Sequence, residues 1–357
     1  MSGEEKHLTL DALIERDACF AIYRLPGEQA PRFAMQTDKN PLLLDDIGGL
    51  NGQHGFVIAP FRITASSPLI LIRPDCTDLH KVEINLMDKK RDKAEAELGK
   101  KSKKSDYSLL FQRFHKPLLN SEIEKLVLSR SRTMEREEAF SPGRTFFRAA
   151  EKYPHSFVYL LHTRESGTWL GSTPEILLAG SRDGWQTVAL AGTRYPNSGN
   201  VSWDDKNLRE QHLVTSYILK QLTSFQLAPE INGPFTIKAG ALAHLRTDFS
   251  FSLPDKPEIG TLLKALHPTP AVSGLPKEKA FQFIADHEGY DRRYYTGFLG
   301  MLDSSAETTL YVNLRCMHIG INRLTLYAGS GLLASSTCKE EWKETEQKLK
   351  TMASIVK

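Results

Sequence analysis

Apolar and polar positions along this chain change period repeatedly, and each change marks a structural element. Near the start, Leu8–Glu15 has the spacing of a short helix, while Cys19–Tyr23, Gly55–Pro60 and Leu69–Arg73 are apolar runs of strand length. Lys125-Leu126-Val127-Leu128-Ser129-Arg130 alternates as a strand, which places Lys125, Val127 and Ser129 on one face. Ser156–His162 and Thr168–Leu170 read as paired strands, and Trp185–Ala191 as another that ends at Gly192-Thr193. Asp204 or Asp205 can cap a helix running to about Phe225. On that helix Glu210, Val214 and Tyr217 make one stripe, and Leu208, Thr215, Ile218 and Leu222 make the expected core stripe. A further helix is predicted over Lys277–His287, with strands over Tyr294–Met301 and Thr308–His318. In the second of these strands Tyr311, Asn313 and Arg315 face one way and Leu310, Val312 and Leu314 the other. The last stretch runs from a strand at Tyr327 through Ala328-Gly329-Ser330-Gly331 into a charged helix reaching Met352. Thr337, followed three residues later by Glu340, is a capping-box start for that helix. The pattern is that of a mixed α/β protein.

Composition narrows the class. The chain has 357 residues, enough for one large domain or two ordinary ones, and is 40% hydrophobic and 25% charged, as globular proteins are. No apolar run approaches the roughly 20 residues of a membrane span. The opening MSGEEKHLTL lacks the layout of a signal peptide. Cys19, Cys76, Cys316 and Cys338 have no metal-type spacing and read as reduced thiols, so the expected compartment is the cytoplasm. A net charge of +3 with no aromatic-basic stripe argues against a nucleic-acid partner. Nothing in the pattern argues for an assembly beyond a monomer or weak dimer. Residues 88–106 form the most charged run and read as an exposed helix and loop. They end an N-terminal part (1–106) of the fold and precede the region (107–357) where the chemistry lies.

Several residues in that second region suit chemistry. Glu341, Glu344 and Lys348 are spaced three and four apart and share a helix face. Two carboxylates and an ammonium beside glycine-spaced backbone suit a hydrated divalent cation and an anionic substrate. The plainer reading is a solvated face with an intrahelical Glu–Lys pair. Lys125 on an inward strand face would be unusual because desolvating its charge costs stability; otherwise it is an edge-strand lysine pointing to water. Gly171-Ser172-Thr173-Pro174-Glu175 is a tight turn that presents one carboxylate. Arg315 has the fork that binds carboxylates bidentately.

These pieces follow an order. KLVLSR (125–130), GSTPE (171–175), LAGT (190–193), K-x-x-x-E (206–210), HLRT (244–247), HPTPAVSG (267–274), YTGFLG (295–300), YVNLR (311–315) and GSG…EWKETEQK (329–348) succeed one another along the chain. Together they make it resemble the chorismate-utilising enzymes, and within them the isochorismate synthases. The resemblance implies a single α/β (α+β) unit of large packed antiparallel sheets flanked by helices, with the active site in a cleft. It implies chorismate as the small-molecule substrate, water entering at ring carbon 2 and the hydroxyl at carbon 4 leaving. In that scheme Lys125 is the base and Glu175 the acid. Glu210 and Glu344 bind Mg²⁺, and Glu341 acts through a bound water. Arg315, Tyr295, Lys348 and the backbone at Gly329 and Gly331 would hold the enolpyruvyl carboxylate. Gly192 and Thr193 would line the ring-carboxylate side, and His244 the pocket.

Siblings in the family separate on single residues. Aminodeoxychorismate synthases usually carry a lysine where this chain has Ala191. Anthranilate synthases typically lack a lysine at the position of Lys125. Salicylate synthases usually have threonine at the position of Ala271, and they remain the alternative, followed by an inactive chorismate-binding protein. Two departures stand out. The family commonly shows Glu-His where this chain has Glu210-Gln211, and the loop from Thr193 to Lys206 is short for the family. Menaquinone and siderophore pathways both consume isochorismate, and the compact length mildly favours menaquinone.

Overall fold

The computed structural model describes residues 3–82, 104–194, 202–239, 242–255 and 257–356. Most of the charged 88–106 run, and residues 195–201 of the Thr193–Lys206 loop, lie outside those described. The strands form two antiparallel sheets. One has the order Gly274–Leu275, Lys125–Glu135, Arg323–Leu332, Cys316–Ile319, Gly167–Thr173, Phe157–Thr163, Cys19–Arg24, Arg32–Gln36. The other runs Glu230–Ala239, Leu242–Phe251, Gly184–Arg194, Ile176–Ser181, Thr308–Val312, Phe298–Leu302, Gly55–Ala59, Leu69–Ile72, Leu42–Leu44. N-terminal strands enter both sheets: Cys19–Arg24 pairs with Phe157–Thr163, and Gly55–Ala59 with Phe298–Leu302.

The layers follow from strand alternation. Ala21, Tyr23, Tyr159 and Leu161 of the first sheet meet Phe56, Ile58, Ile70 and Ile72 of the second in a core between the sheets. The opposite faces are covered by helices. Phe20, Ile22, Val158 and Leu326 pack under the helices Gly3–Glu15, Pro142–Lys152 and Cys338–Ala353. Val57, Leu71, Leu178 and Phe249 pack under Asp205–Ser224 and Ile259–Leu266. Strands buried on both faces read as unbroken apolar runs such as Leu69–Ile72, which is why the sequence marked them clearly.

Three expectations fail in an informative way. The continuous strand over Thr308–His318 is instead two strands, Thr308–Val312 in one sheet and Cys316–Ile319 in the other. The chain crosses at Asn313-Leu314-Arg315, where Arg315 has a φ of 46°. Asn313 is fully buried and pins the crossing, accepting from Tyr159 Oη (2.6 Å) and donating to Tyr294 O (2.8 Å). The strand predicted from Tyr294 begins only at Phe298, because Tyr294–Gly297 forms a turn with Thr296 at a φ of 63°. On the helix Asp205–Ser224 the buried stripe includes Asn207, Glu210, Gln211, Val214 and Ile218, whereas Leu208, expected in the core, is exposed. Polar side chains outrank Leu208 there because that face meets backbone that needs hydrogen-bond partners.

Candidate active site

The first sheet passes chain to the second at a further point. Gly167–Thr173 belongs to one sheet and Ile176–Ser181 to the other, with Glu175 in the crossing. This crossing lies beside the Asn313–Arg315 crossing: Val312 N donates to Glu175 O (2.9 Å) and Ser172 N to Arg315 O (3.1 Å). Glu175 and Arg315 therefore stand together where the two sheets part. A cleft of about 670 Å³ opens at this point. Both residues line it, with Gly192, Thr193, Glu210, His244, Ala271, Tyr295, Gly329, Gly331, Glu344 and Lys348.

One side of the cleft is a cluster of carboxylates and ammoniums. Lys125 is fully buried, and its Nζ lies 2.9 Å from Glu210 Oε1. The approach suits charge attraction but not hydrogen-bond geometry, and the ammonium has no hydrogen-bond partner among the described residues. Burial alone would raise the pKa of Glu210, but the Lys125 and Lys206 ammoniums outweigh it and hold the carboxylate below its ordinary value. Glu210 also presses against Gly331, where a Cβ would come within 2.1 Å of Oε1. A side chain there would have to displace the Glu210 carboxylate.

The C-terminal helix closes this side. Thr337 caps it, accepting from Glu340 N as the capping-box pattern predicts. Lys348 Nζ donates to Glu344 Oε1 (2.7 Å) and to Gly329 O (2.9 Å), tying helix to strand. Glu341 instead turns away from the cleft and pairs with Lys206 from the opposite helix. Burial and the nearby Glu344 push its pKa up, against the pull of Lys206. Its Oε2, close to Ser336, has no well-formed hydrogen bond among the described residues.

Glu175 itself is buried. Desolvation raises its pKa to about 8, even though Lys125, Lys348 and Arg315 all pull the other way. Burial likewise lowers the Arg315 guanidinium to about 10. Arg315 Nη2 donates to His244 Nε2 (2.6 Å), and His244 Nδ1 donates to Gly192 O (2.9 Å). Since a guanidinium only donates and a carbonyl only accepts, the ring is the neutral Nδ1–H tautomer. Burial and Arg315 agree, holding the imidazole well below its ordinary pKa. His244 thus supports both Arg315 and the Gly192 turn, whose φ of 69° favours glycine.

The Glu210-Gln211 departure resolves in favour of Glu210 facing the cleft. Gln211 is buried and bonds to the neighbouring strand: Ala191 N donates to its Oε1 (2.8 Å), and its Nε2 donates to Ala189 O (3.1 Å) and Thr247 Oγ1 (3.0 Å). Asn207, one turn earlier, accepts from Thr193 N (3.0 Å). Of the predicted site residues, Lys125 and Glu341 alone sit behind the cleft surface rather than on it. Sequence reasoning passed over the apolar wall of Leu190, Val272 and Leu314, and also Thr296 and Ser330. Their chemistry is unremarkable, and only their neighbours (Ala191, Ala271, Tyr295, Arg315, Gly331) pointed to them. It also missed that Lys206 bridges two helices, having treated that residue only as a guide to register.

The cleft between the two sheets thus combines a buried protonatable carboxyl, cationic side chains and further acids. The chain belongs to the chorismate-binding enzymes, whose family description it matches over residues 71–357. The isochorismate synthase EntC of Escherichia coli is 32% identical over 246 residues, covering 66% of this chain and 62% of that protein. The chain thus aligns with somewhat less than two thirds of that relative's length. Among solved structures, the 2,3-dihydroxybenzoate-specific isochorismate synthase DhbC of Bacillus anthracis superposes with a TM-score of 0.78 at 23% identity, covering 97% of this chain and 99% of that one. The menaquinone-specific isochorismate synthase MenF of Escherichia coli gives a TM-score of 0.78 at 21% identity, covering 98% and 91%. At such identities the superpositions establish the fold.

Proposed function

We propose that this protein is a Mg²⁺-dependent isochorismate synthase that converts chorismate to isochorismate for menaquinone or siderophore biosynthesis. One observation carries the reading. The cleft holds a buried carboxyl that keeps its proton to about pH 8, within the electrostatic reach of a buried lysine. That is an acid and a base candidate in one enclosure, as water addition with hydroxyl departure requires.

The residues present also fit the metal. Glu210 and Glu344 both line the cleft, while among the described residues no three His, Cys, Asp or Glu side chains gather closely enough to cage an ion. That donor set suits Mg²⁺, which keeps several waters and takes one or two carboxylates plus substrate oxygens. When bound, Mg²⁺ supplies countercharge for the ring carboxylate and for Glu210. Arg315, Lys348 and the backbone at Gly329 orient the enolpyruvyl carboxylate, with Tyr295 alongside. Gly192 and Thr193 border the ring, and the neutral His244 keeps Arg315 aimed. Lys125, having first lost its ammonium proton to solvent, takes as the neutral amine a proton from the water whose oxygen bonds ring carbon 2. Both double bonds of the ring diene shift one position, the carbon 4–oxygen bond breaks, and Glu175 gives the proton with which that oxygen leaves as water. Lys125 ends with one proton more and Glu175 with one fewer; solvent exchange restores both.

Incubation of the purified protein with chorismate, with and without Mg²⁺, tests this. Isochorismate alone, formed only with Mg²⁺, is the expected result. Salicylate with pyruvate would make it a salicylate synthase, and chorismate bound but unchanged would make it an inactive binder. Two variants probe the parts. Glu344→Ala is expected to move the Mg²⁺ midpoint of activity upward by on the order of tenfold or more, since even outer-shell losses cost that much. An unmoved titration would place the metal elsewhere. Ala271→Thr puts a hydroxyl into the cleft wall and is expected to raise salicylate and pyruvate as side products, read by chromatography of the products.

A further inference from the structure

The strand Lys125–Glu135 has Arg323–Leu332 along one edge, but along the other, among the described residues, it is paired only by the two residues Gly274–Leu275. Beyond them its edge is occupied by side chains. Val127 N still donates to Ser273 O (2.7 Å), after which Val127 O accepts from Arg292 Nη2 (2.8 Å) and Ser129 N donates to Glu288 Oε1 (2.8 Å). Ser129 Oγ is bonded to Tyr290 Oη. Arg292 and Glu288 are both 2% exposed and form a two-pronged ion pair, through Nε to Oε2 and Nη2 to Oε1. The rest of the guanidinium reaches across the base of the cleft. Its Nη1 donates to Val272 O (2.8 Å) and to Thr296 Oγ1 (3.3 Å), and its plane covers the Phe61 ring at 4.5 Å. Val127, Val272 and Thr296 each line the cleft, whereas Arg292 and Glu288 do not.

We propose that Arg292 and Glu288 are positioning residues, standing in for a missing strand and locking the strand that carries Lys125 against the Ala271-Val272 and Tyr295-Thr296 walls. The inference rests on the isochorismate synthase reading, in which Lys125 is the base. All five guanidinium N–H groups have acceptors, so the fork fixes three chain segments at once. Lysine at this place would keep the charge but could not span Val127 O, Val272 O and Thr296 from a single nitrogen. The side-chain hydrogen bonds of the pair beyond itself go to Val127, Ser129, Val272 and Thr296, none of which is assigned to anion or metal binding, so substrate capture and metal affinity are separable from it.

Steady-state kinetics of Arg292→Lys on chorismate, with a Mg²⁺ titration and a thermal melt, test the assignment. The expected result is a folded variant whose kcat falls about 10- to 100-fold, as a misplaced base gives. Its KM and Mg²⁺ midpoint should stay within about threefold of the parent's, the signature of an interaction used in the chemical step. The double variant Glu288→Met/Arg292→Met leaves no uncompensated buried charge, so it is the one to use if Arg292→Lys does not fold, and it should show the same kcat loss. A folded variant of either kind with parental kcat overturns the proposal. So does a general decline in which KM, kcat and the Mg²⁺ midpoint move together. A parent protein inert towards chorismate would instead overturn the functional reading, and this inference with it.

Discussion

Replacing Lys125 by alanine is expected to lower turnover of chorismate by about 10²- to 10⁴-fold, the range that a positioned general base contributes. The substitution should also reduce stability, because Glu210 would be left as a buried carboxylate without its 2.9 Å ion partner. Breaking a buried pair costs about 3–5 kcal/mol, and Lys206, which also faces Glu210, brings the expected loss towards the lower end. The two effects part company when Mg²⁺ is added. A cation at Glu210 restores the missing countercharge, so the variant should gain more melting temperature from Mg²⁺ than the parent does, while remaining inactive. Calorimetry with and without Mg²⁺ beside a product assay reads both. Near-parental turnover would remove Lys125 from its role.

Glu175→Gln is expected to abolish turnover on a similar scale while leaving the fold intact, since an amide closely matches the neutral acid already present in the buried site. The pH dependence of stability gives an independent reading. The carboxyl has a folded pKa of about 8 against an ordinary value of 4.5, so in that interval the native state holds a proton that the unfolded state has released. Stability from this group is therefore full below the ordinary value and declines as pH rises through about 8. The glutamine variant should lack that decline and equal or exceed the parent's melting temperature above about pH 8. An identical pH–stability profile in both proteins would show that the proton is not where the burial of Glu175 puts it.

Which residues gather at the cleft was more legible in the sequence than the geometry that brings them there. Lys125, Glu175, Glu210 and Arg315 were visible because charged residues among apolar ones demand a reason, and because their spacing follows a family order. The strand boundaries held to within one residue at Cys19–Arg24, Gly55–Ala59 and Leu69–Ile72. What alternation could not reveal is a change of sheet. Tyr311 to Arg315 keeps its period of two through the crossing, so a strand that leaves one sheet for the other reads as one strand. Leu208 misled for a related reason: helical periodicity counts apolar residues, but the packed face of that helix is committed to strand backbone through Asn207 and Gln211. The Arg292–Glu288 pair had no signal at all, since its hydrogen-bond partners lie more than 150 residues away at Val127 and Ser129 as well as nearby.

The paired crossings at Glu175 and Arg315 have a bearing on how this molecule comes into being. Glu175 and Arg315 each sit on a hinge of chain whose two ends belong to different sheets, so neither sheet alone can assemble the cleft. Docking one sheet on the other is therefore also the step that creates the cleft. A ligand gripping both residues would act as a rivet through the sandwich, strengthening the molecule along the seam between its two sheets.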